Sequence, residues 1–124
     1  RMPRTEVHFF RRRDGSIPLL VWLSGLEPRA RFRCLVRLRR LAQMGHELRR
    51  PEADYLRDKI YELRIRYDGQ QLRILYFFHG QQVIVVSHGL TKEGAVPSRE
   101  IDLAIARRVW VEREPDQHLF RGRI

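Results

Sequence analysis

Residues 60–90 contain three consecutive runs of β-strand character, separated by two short turn sequences. The runs are IYELRIRY (60–67), QLRILYFF (71–78) and QVIVVSHGL (82–90). Asp68-Gly69, between the first two runs, is a strong short-range signal for a β-hairpin, and His79-Gly80-Gln81 supplies a second turn. The segment therefore predicts three adjacent antiparallel strands, around which the remaining chain must pack to cover an apolar face.

The pairing of these strands can be worked out from the turns. A two-residue turn at 68–69 places Arg64 opposite Arg73. The second turn allows two registers, which place either His88 or Val86 opposite Arg73. Because side chains alternate between the two faces of a strand, both registers put Arg64, Arg73 and His88 on one face. The other face is expected to be apolar and covered; it comprises Tyr61, Leu63, Ile65, Tyr67, Leu72, Ile74, Tyr76, Phe78, Val83, Val85 and Ser87.

Two interpretations of the arginine-bearing face are open. Like charges directly opposite each other destabilise a sheet, so two facing arginines with a histidine beside them are typical of an anion site. Alternatively, Glu62 lies diagonally from Arg73 and neutralises it, while the arginine stems cover apolar surface. The spacing of Arg64, Arg73 and His88 does not decide between the two.

The composition limits the class of protein and its partners. The 124 residues predict a single domain, with a core at about 5–112 and a loose tail at 113–124. A net charge of +10, from 25 Lys+Arg against 15 Asp+Glu, points to a polyanionic partner and first to nucleic acid. The one cysteine, Cys34, excludes an internal disulfide and is expected to be buried. Scattered histidines predict no metal site and no cofactor. The absence of a long apolar run predicts a cytoplasmic protein without a membrane partner.

The remaining segments complete a small α+β fold. A strand is predicted at 5–10, a helix from Pro18, a second helix at 28–44 and a last helix at about 98–112. The order is β-α-α-β-β-β-α, with the N-terminal helix pair packed on one face of the sheet and the other face partly open. The arginines of the second helix form either a solvated face or a surface along RNA phosphates, and for the latter we assign Arg37 and Arg40, together with Arg66 of the sheet.

Three segments resemble the core signature of RelE/HigB-type toxins, and most of all the phage-derived, HigB-like branch. They are LRDKIYELR (56–64), LRILYF (72–77) and HGLTK (88–92), and the resemblance extends over about 7–108. It implies the RelE-like fold and a ribonuclease toxin that cleaves mRNA on the ribosome. It also implies a cognate antitoxin, which we expect to be a helix-turn-helix protein. The site residues implied at matching positions are Arg64, Arg73, Lys92 and His88.

The chemistry expected of these residues is attack of the RNA 2′-hydroxyl on the adjacent phosphorus. Arg64 and Arg73 would stabilise the negative phosphorane, Lys92 would contact phosphate or transfer a proton, and His88 would act as acid or base. The alternatives are a solvated lysine and a histidine bonded to nearby groups. Glu93 stands where the branch often has a second lysine, which would weaken catalysis. A non-catalytic module that binds RNA, the ribosome or an antitoxin is therefore the competing expectation.

Overall fold

A computed structural model describes residues 5–122, which form one six-stranded sheet with helices on both faces. The strand order is β2-β3-β4-β5-β1-β6; β1 runs parallel to β5, and the other neighbours are antiparallel. The predicted α+β class is confirmed, although the sheet is larger than expected and one pair is parallel. The elements are β1 (Glu6–Phe10), α1 (Pro18–Ser24), α2 (Pro28–Met44), a 3₁₀ turn (Gly45–Glu47), β2 (Ala53–Arg57), β3 (Ile60–Tyr67), β4 (Gln70–His79), β5 (Val83–Thr91), α3 (Ser98–Arg113), α4 (Pro115–His118) and β6 (Leu119–Phe120).

The helix pair α1 and α2 covers one face of the sheet, as the apolar pattern predicted. Cys34, Leu38 and Leu41 of α2 are completely buried against Leu63 and Ile74 of the sheet. Removal of this apolar surface from water is the main stabilising contribution of the face. None of the helices within residues 5–122 is long and apolar enough to cross a membrane.

The opposite face is less open than expected, because α3 packs on it. Ile101, Ala104 and Val111 of α3 share a second apolar cluster with Leu75 and Phe77 of β4. Near the β3–β4 turn this face remains uncovered, and there the sequence changes from apolar to basic. We call this side of the sheet the α3 face.

Two strands were not predicted. Residues 53–57 form one of them, which pairs with β3 through a turn at Asp58-Lys59, where both residues have positive φ. Neither turn residue is glycine, so the usual signal for such a turn is missing. In the tail, residues 115–120 form a helical turn and a short strand on β1 rather than a loose end.

The first predicted register is confirmed and the second is wrong. Arg64 lies opposite Arg73, and Asp68 and Gly69 both adopt the positive φ that a type I′ turn requires. The second connection has three residues, Gly80–Gln82, and together with a β-bulge in β5 it pairs Arg73 with Leu90 rather than with His88 or Val86.

A β-bulge explains why His88 still shares a face with Arg73. The pairing runs from Tyr76–Val86 directly to Leu75–His88, so that Ser87 is an extra residue on β5. The three-residue turn shifts the alternation by one position and the bulge shifts it back. The first half of β5 is consequently inverted relative to the prediction: Val83 and Val85 pack on the α3 face, and Ile84 and Val86 pack under α1 and α2.

Candidate functional site

The basic end of the α3 face is organised in rows that run across β3, β4 and β5. One row contains Arg64, Arg73 and Leu90. The next row toward the β3–β4 turn pairs Arg66 with Gln71, whose carbonyl accepts the backbone N–H of Lys92 at 3.0 Å. The row on the other side contains Glu62, Leu75 and His88. Strand pairing thus brings the four predicted catalytic residues and Arg66 onto one surface, which we call the cationic rows.

Glu62 lies between the two facing arginines. Its carboxylate is 3.2 Å from Nε of Arg64 and 3.6 Å from Nε of Arg73, and Asp54 is 3.4 Å from Nη2 of Arg64. The like-charge repulsion expected of facing arginines is therefore offset within the sheet. These distances agree with the second interpretation given above, in which Glu62 neutralises the charge of Arg73.

The structure corrects the expectation that Arg73 is open to solvent. Arg73 is only 5% exposed and Glu62 only 2%. Arg64 is the accessible member of the trio, with 36% of its side chain exposed. Arg73 is enclosed because the part of the sheet next to it is covered by the second apolar cluster, to which its row partner Leu90 contributes.

The buried pair of Glu62 and Arg73 is not fully hydrogen-bonded. Nε and Nη1 of Arg73 and Oε1 of Glu62 are buried without a hydrogen-bond partner in the described chain. Buried charged groups with unused donors and acceptors are costly, and such groups are normally satisfied by protein, water or ligand. Arg73 therefore carries donors that a bound anion would satisfy.

His88 has both ring nitrogens engaged. Nε2 lies 2.9 Å from Glu100 Oε1, and Nδ1 lies 2.7 Å from Ser87 Oγ. Ser87 Oγ in turn accepts a hydrogen bond from Arg107 Nη1 at 3.4 Å. Burial lowers the pKa of His88 below its usual value, although the hydrogen bond that His88 donates to Glu100 acts in the opposite direction. A neutral ring that donates to Glu100 and accepts from the Ser87 hydroxyl satisfies every contact, and it favours a structural role for this histidine.

Lys92 and Glu93 lie at the open end of the cationic rows. Lys92 is exposed. The Glu93 carboxylate accepts the backbone N–H of Gln71 at 3.2 Å, at the position where β5 has ended and the strand ladder would otherwise stop. Glu93 therefore extends the pairing of β4 and also brings a negative charge next to Lys92.

The predicted RNA-binding arginines of α2 contact the edge of the sheet. Arg37 donates to the carbonyl of Arg64, and both Arg37 and Arg40 form ion pairs with Glu52. Arg37, Glu52, Arg64 and Arg66 line one groove of about 320 Å³. The second half of β3 extends past the first residue of β2, and α2 covers its unpaired carbonyls there. This cover limits edge-to-edge association.

Several members of the site were not assigned from the sequence. Glu100, Ser87 and Arg107 form the chain of contacts that holds His88. Arg107 had a recognisable signal, since it continues the apolar stripe of α3 made by Ile101 and Ala104, a position where a charged residue is unusual. Ser87 and Glu100 had none, because the bulge and the packing of α3 bring them to the histidine.

One comparison with known proteins gives a match. The family model described as "Phage derived protein Gp49-like (DUF891)" matches residues 21–109, which include the second half of α1, all of α2 and the strands that carry the cationic rows. A search of the curated proteins finds no match. Within residues 5–122, no group of three or more His, Cys, Asp or Glu side chains could hold a metal ion.

Proposed function

Because the chain belongs to the phage-derived Gp49-like family, a family of RelE/HigB-like toxins, we propose that it is a ribonuclease toxin. The proposed substrate is mRNA, cleaved on the ribosome. The observation that supports this function is the surface of the cationic rows, on which strand register and the backbone bond from Lys92 to Gln71 align Arg64, Arg73, Arg66 and Lys92. Guanidinium groups suit this task because their planar donors match phosphate oxygens.

The cationic rows provide positioning and charge for an internal phosphoryl transfer. The 2′-hydroxyl oxygen attacks the adjacent phosphorus, the P–O5′ bond breaks, and a 2′,3′-cyclic phosphate and a 5′-hydroxyl are formed. Arg64 and Lys92 are the exposed groups assigned to the phosphate oxygens, and Arg73 supports them from below. One well-placed donor of this kind contributes on the order of 3 kcal/mol, or about a hundredfold in rate.

His88 holds a different role from the one expected from the sequence alone. Its ring is 7% exposed, and its nitrogens are already bonded to Glu100 and Ser87. We therefore assign His88 a positioning role: it holds the end of β5, which carries Leu90 and leads to Lys92. Protonation of the departing 5′-oxygen is assigned to the exposed Lys92 ammonium, and the proton of the attacking 2′-hydroxyl passes to solvent.

A non-catalytic binding module is the second candidate, and specific contacts favour it. Glu62 neutralises part of the charge of Arg64 and Arg73, and Glu93 places a carboxylate beside Lys92. Such a surface would bind RNA or the ribosome without stabilising a phosphorane. The two candidates differ in whether RNA is cut.

Expression without an antitoxin, followed by primer extension on translated mRNA, separates the two candidates. We expect growth arrest and discrete cleavage sites with the wild type, and loss of both with Arg64→Gln and Lys92→Gln. Arg39→Gln, which removes one exposed arginine of α2, is the matched control and should behave as wild type. Growth arrest or RNA binding without cleavage would support the binding module, and cleavage that persists in both variants would refute the proposed site.

The family implies an antitoxin partner. We propose that this partner is a helix-turn-helix protein with an acidic contact surface, which complements the net charge of +10. A gene for such a protein next to this one, whose co-expression restores growth and whose product copurifies with this chain, is the expected result. Growth arrest that no neighbouring gene relieves would contradict it.

A further inference from the structure

A second pocket lies on the α3 face, where the end of β1 meets α3 and the tail. Its volume is about 310 Å³, at the lower end of the range for small-ligand sites. It differs from the cationic rows in composition, because aromatic and cationic side chains line it together. The lining residues are Phe10, Arg12, Arg13, Leu103, Ala106, Arg107, Trp110 and His118. We call it the Trp110 pocket.

Three aromatic rings form its apolar part. His118 stacks on Phe10 with ring centroids 5.1 Å apart and an interplanar angle of 4°, and Trp110 lies 5.9 Å from His118. Phe10 is 4% exposed, whereas Trp110 is 41% exposed. The buried rings hold the indole in place, the Arg13 guanidinium lies 5.3 Å from its ring centroid, and the exposed part of the indole can contact a flat ligand.

His118 contributes an unused polar atom. Nδ1 lies 2.8 Å from the carbonyl oxygen of Arg11, so Nδ1 carries the proton and donates it. Nε2 is buried and has no partner among the described residues, and His118 is only 3% exposed. A buried nitrogen of this kind is normally hydrogen-bonded, and a ligand donor in the pocket would satisfy it.

The charge of the pocket is positive. Arg12 and Arg107 have no carboxylate within salt-bridge distance in the part of the chain that the structure describes; Arg13 pairs with Glu114. Arg107 is 7% exposed, and its guanidinium lies 5.0 Å above the Phe10 ring. Burial lowers the pKa of Arg107, and the nearby charge of Arg12 lowers it further. The pocket thus has more positive than negative charge, although Glu114, Glu100 and Asp14 offset part of it.

We propose that the Trp110 pocket binds one unpaired nucleotide of single-stranded RNA, with the base against Trp110 and its phosphate at Arg12. Stacking of a base on an aromatic ring next to arginines is the usual way in which proteins hold single strands. A base also carries N–H groups, from which His118 Nε2 can accept a hydrogen bond. This inference rests on the proposed function, since it gives the substrate RNA a second contact on the face that carries the cationic rows.

The chain has two tryptophans, which allows the contact to be observed directly. In a Trp22→Phe protein, the remaining indole fluorescence comes from Trp110. A 2′-O-methyl adenosine hexanucleotide is a suitable probe, because it lacks the attacking hydroxyl and cannot be cut. We expect saturable quenching by this probe and none by inorganic polyphosphate of matched charge. Quenching by neither, or equally by both, would overturn the proposal.

Affinities for the labelled hexanucleotide, measured by anisotropy, supply the second test. We expect Trp110→Leu to bind about fivefold more weakly or worse, and Arg12→Gln to bind more weakly with a smaller salt dependence. Arg39→Gln should remain within about twofold of wild type. The proposal would be refuted if Trp110→Leu bound the hexanucleotide with wild-type affinity. It would also be refuted if the fluorescence of Trp110 responded to an antitoxin but not to RNA. Failure of the proposed function is seen separately, as unchanged cleavage in Arg64→Gln.

Discussion

Glu62→Gln removes the negative charge that two arginines share, while keeping the size and shape of the side chain. The unfolding free energy should fall because Arg73 then remains buried without a counter-ion. For unit charges 3.6 Å apart, Coulomb attraction is about 4–5 kcal/mol at an effective dielectric constant of ~20. Relief of the desolvation of Glu62 offsets part of this value. We expect a net loss of about 3 kcal/mol, the lower end for breaking a buried pair.

The same substitution should strengthen anion binding at the cationic rows. The net charge of the trio formed by Arg64, Glu62 and Arg73 rises by one unit. A bound phosphate can then supply the negative charge that the Glu62 carboxylate no longer supplies. Urea unfolding in chloride and in phosphate measures both effects. An anion at a hundred times its Kd adds about 2.7 kcal/mol to the folded state, so we expect phosphate to restore much of the loss in Glu62→Gln and to affect the wild type less.

The control is Glu112→Gln, which removes an exposed carboxylate 3.3 Å from Arg108 on α3. Its unfolding free energy should change by no more than about 0.5 kcal/mol, and its response to phosphate should match that of the wild type. The reasoning is refuted if Glu62→Gln unfolds at the wild-type urea concentration, because Arg73 would then be held by packing alone. Equal stabilisation of both proteins by phosphate would place the anion elsewhere.

Three further predictions follow from the site. Because the pKa of His88 is lowered in the folded chain, the unfolded chain binds the proton of this histidine at a higher pH than the folded chain does. The stability that His88 contributes should therefore be complete above pH ~6.5 and fall as the pH drops. In urea unfolding, His88→Gln should flatten that decline. Glu93→Gln should increase RNA affinity in anisotropy measurements severalfold, with at most about 1 kcal/mol of lost stability from the weakened bond to Gln71. Arg37→Gln should lower the unfolding free energy by about 1–2 kcal/mol, more than Arg40→Gln, because only Arg37 also caps a carbonyl of β3.

The part of the fold that was predictable depends on short-range chemistry. Asp68-Gly69 fixes one hairpin because both residues tolerate positive φ, and the pairing of Arg64 with Arg73 follows from it. The Asp58-Lys59 turn has the same backbone conformation without a glycine, so β2 was not recognised. The bulge at Ser87 also has no local signal; it is stabilised by contacts with Arg107 of α3, which lies far along the chain.

The composition of the candidate site was predictable, whereas its burial was not. Alternation places Arg73 on a face but does not say whether a later helix covers that face. The order of elements leaves the side on which α3 packs undecided, and this choice determines that Arg73 and His88 are enclosed while Lys92 is exposed.

The distribution of acids along the α3 face indicates where RNA would interact with it. Arg73 and His88, the two enclosed basic residues of the cationic rows, each contact a carboxylate, Glu62 and Glu100 respectively. Toward the β3–β4 turn, Lys92 is exposed, and the carboxylate of the adjacent Glu93 is bonded to the backbone N–H of Gln71. Arg64 lies at the boundary, with one nitrogen held by Glu62 and part of its side chain in solvent. Substitutions at the enclosed end should therefore alter stability first, and those at the open end should alter RNA binding and cleavage at unchanged stability. A reversed order, with Lys92→Gln destabilising the fold and Glu62→Gln leaving it intact, would contradict this division.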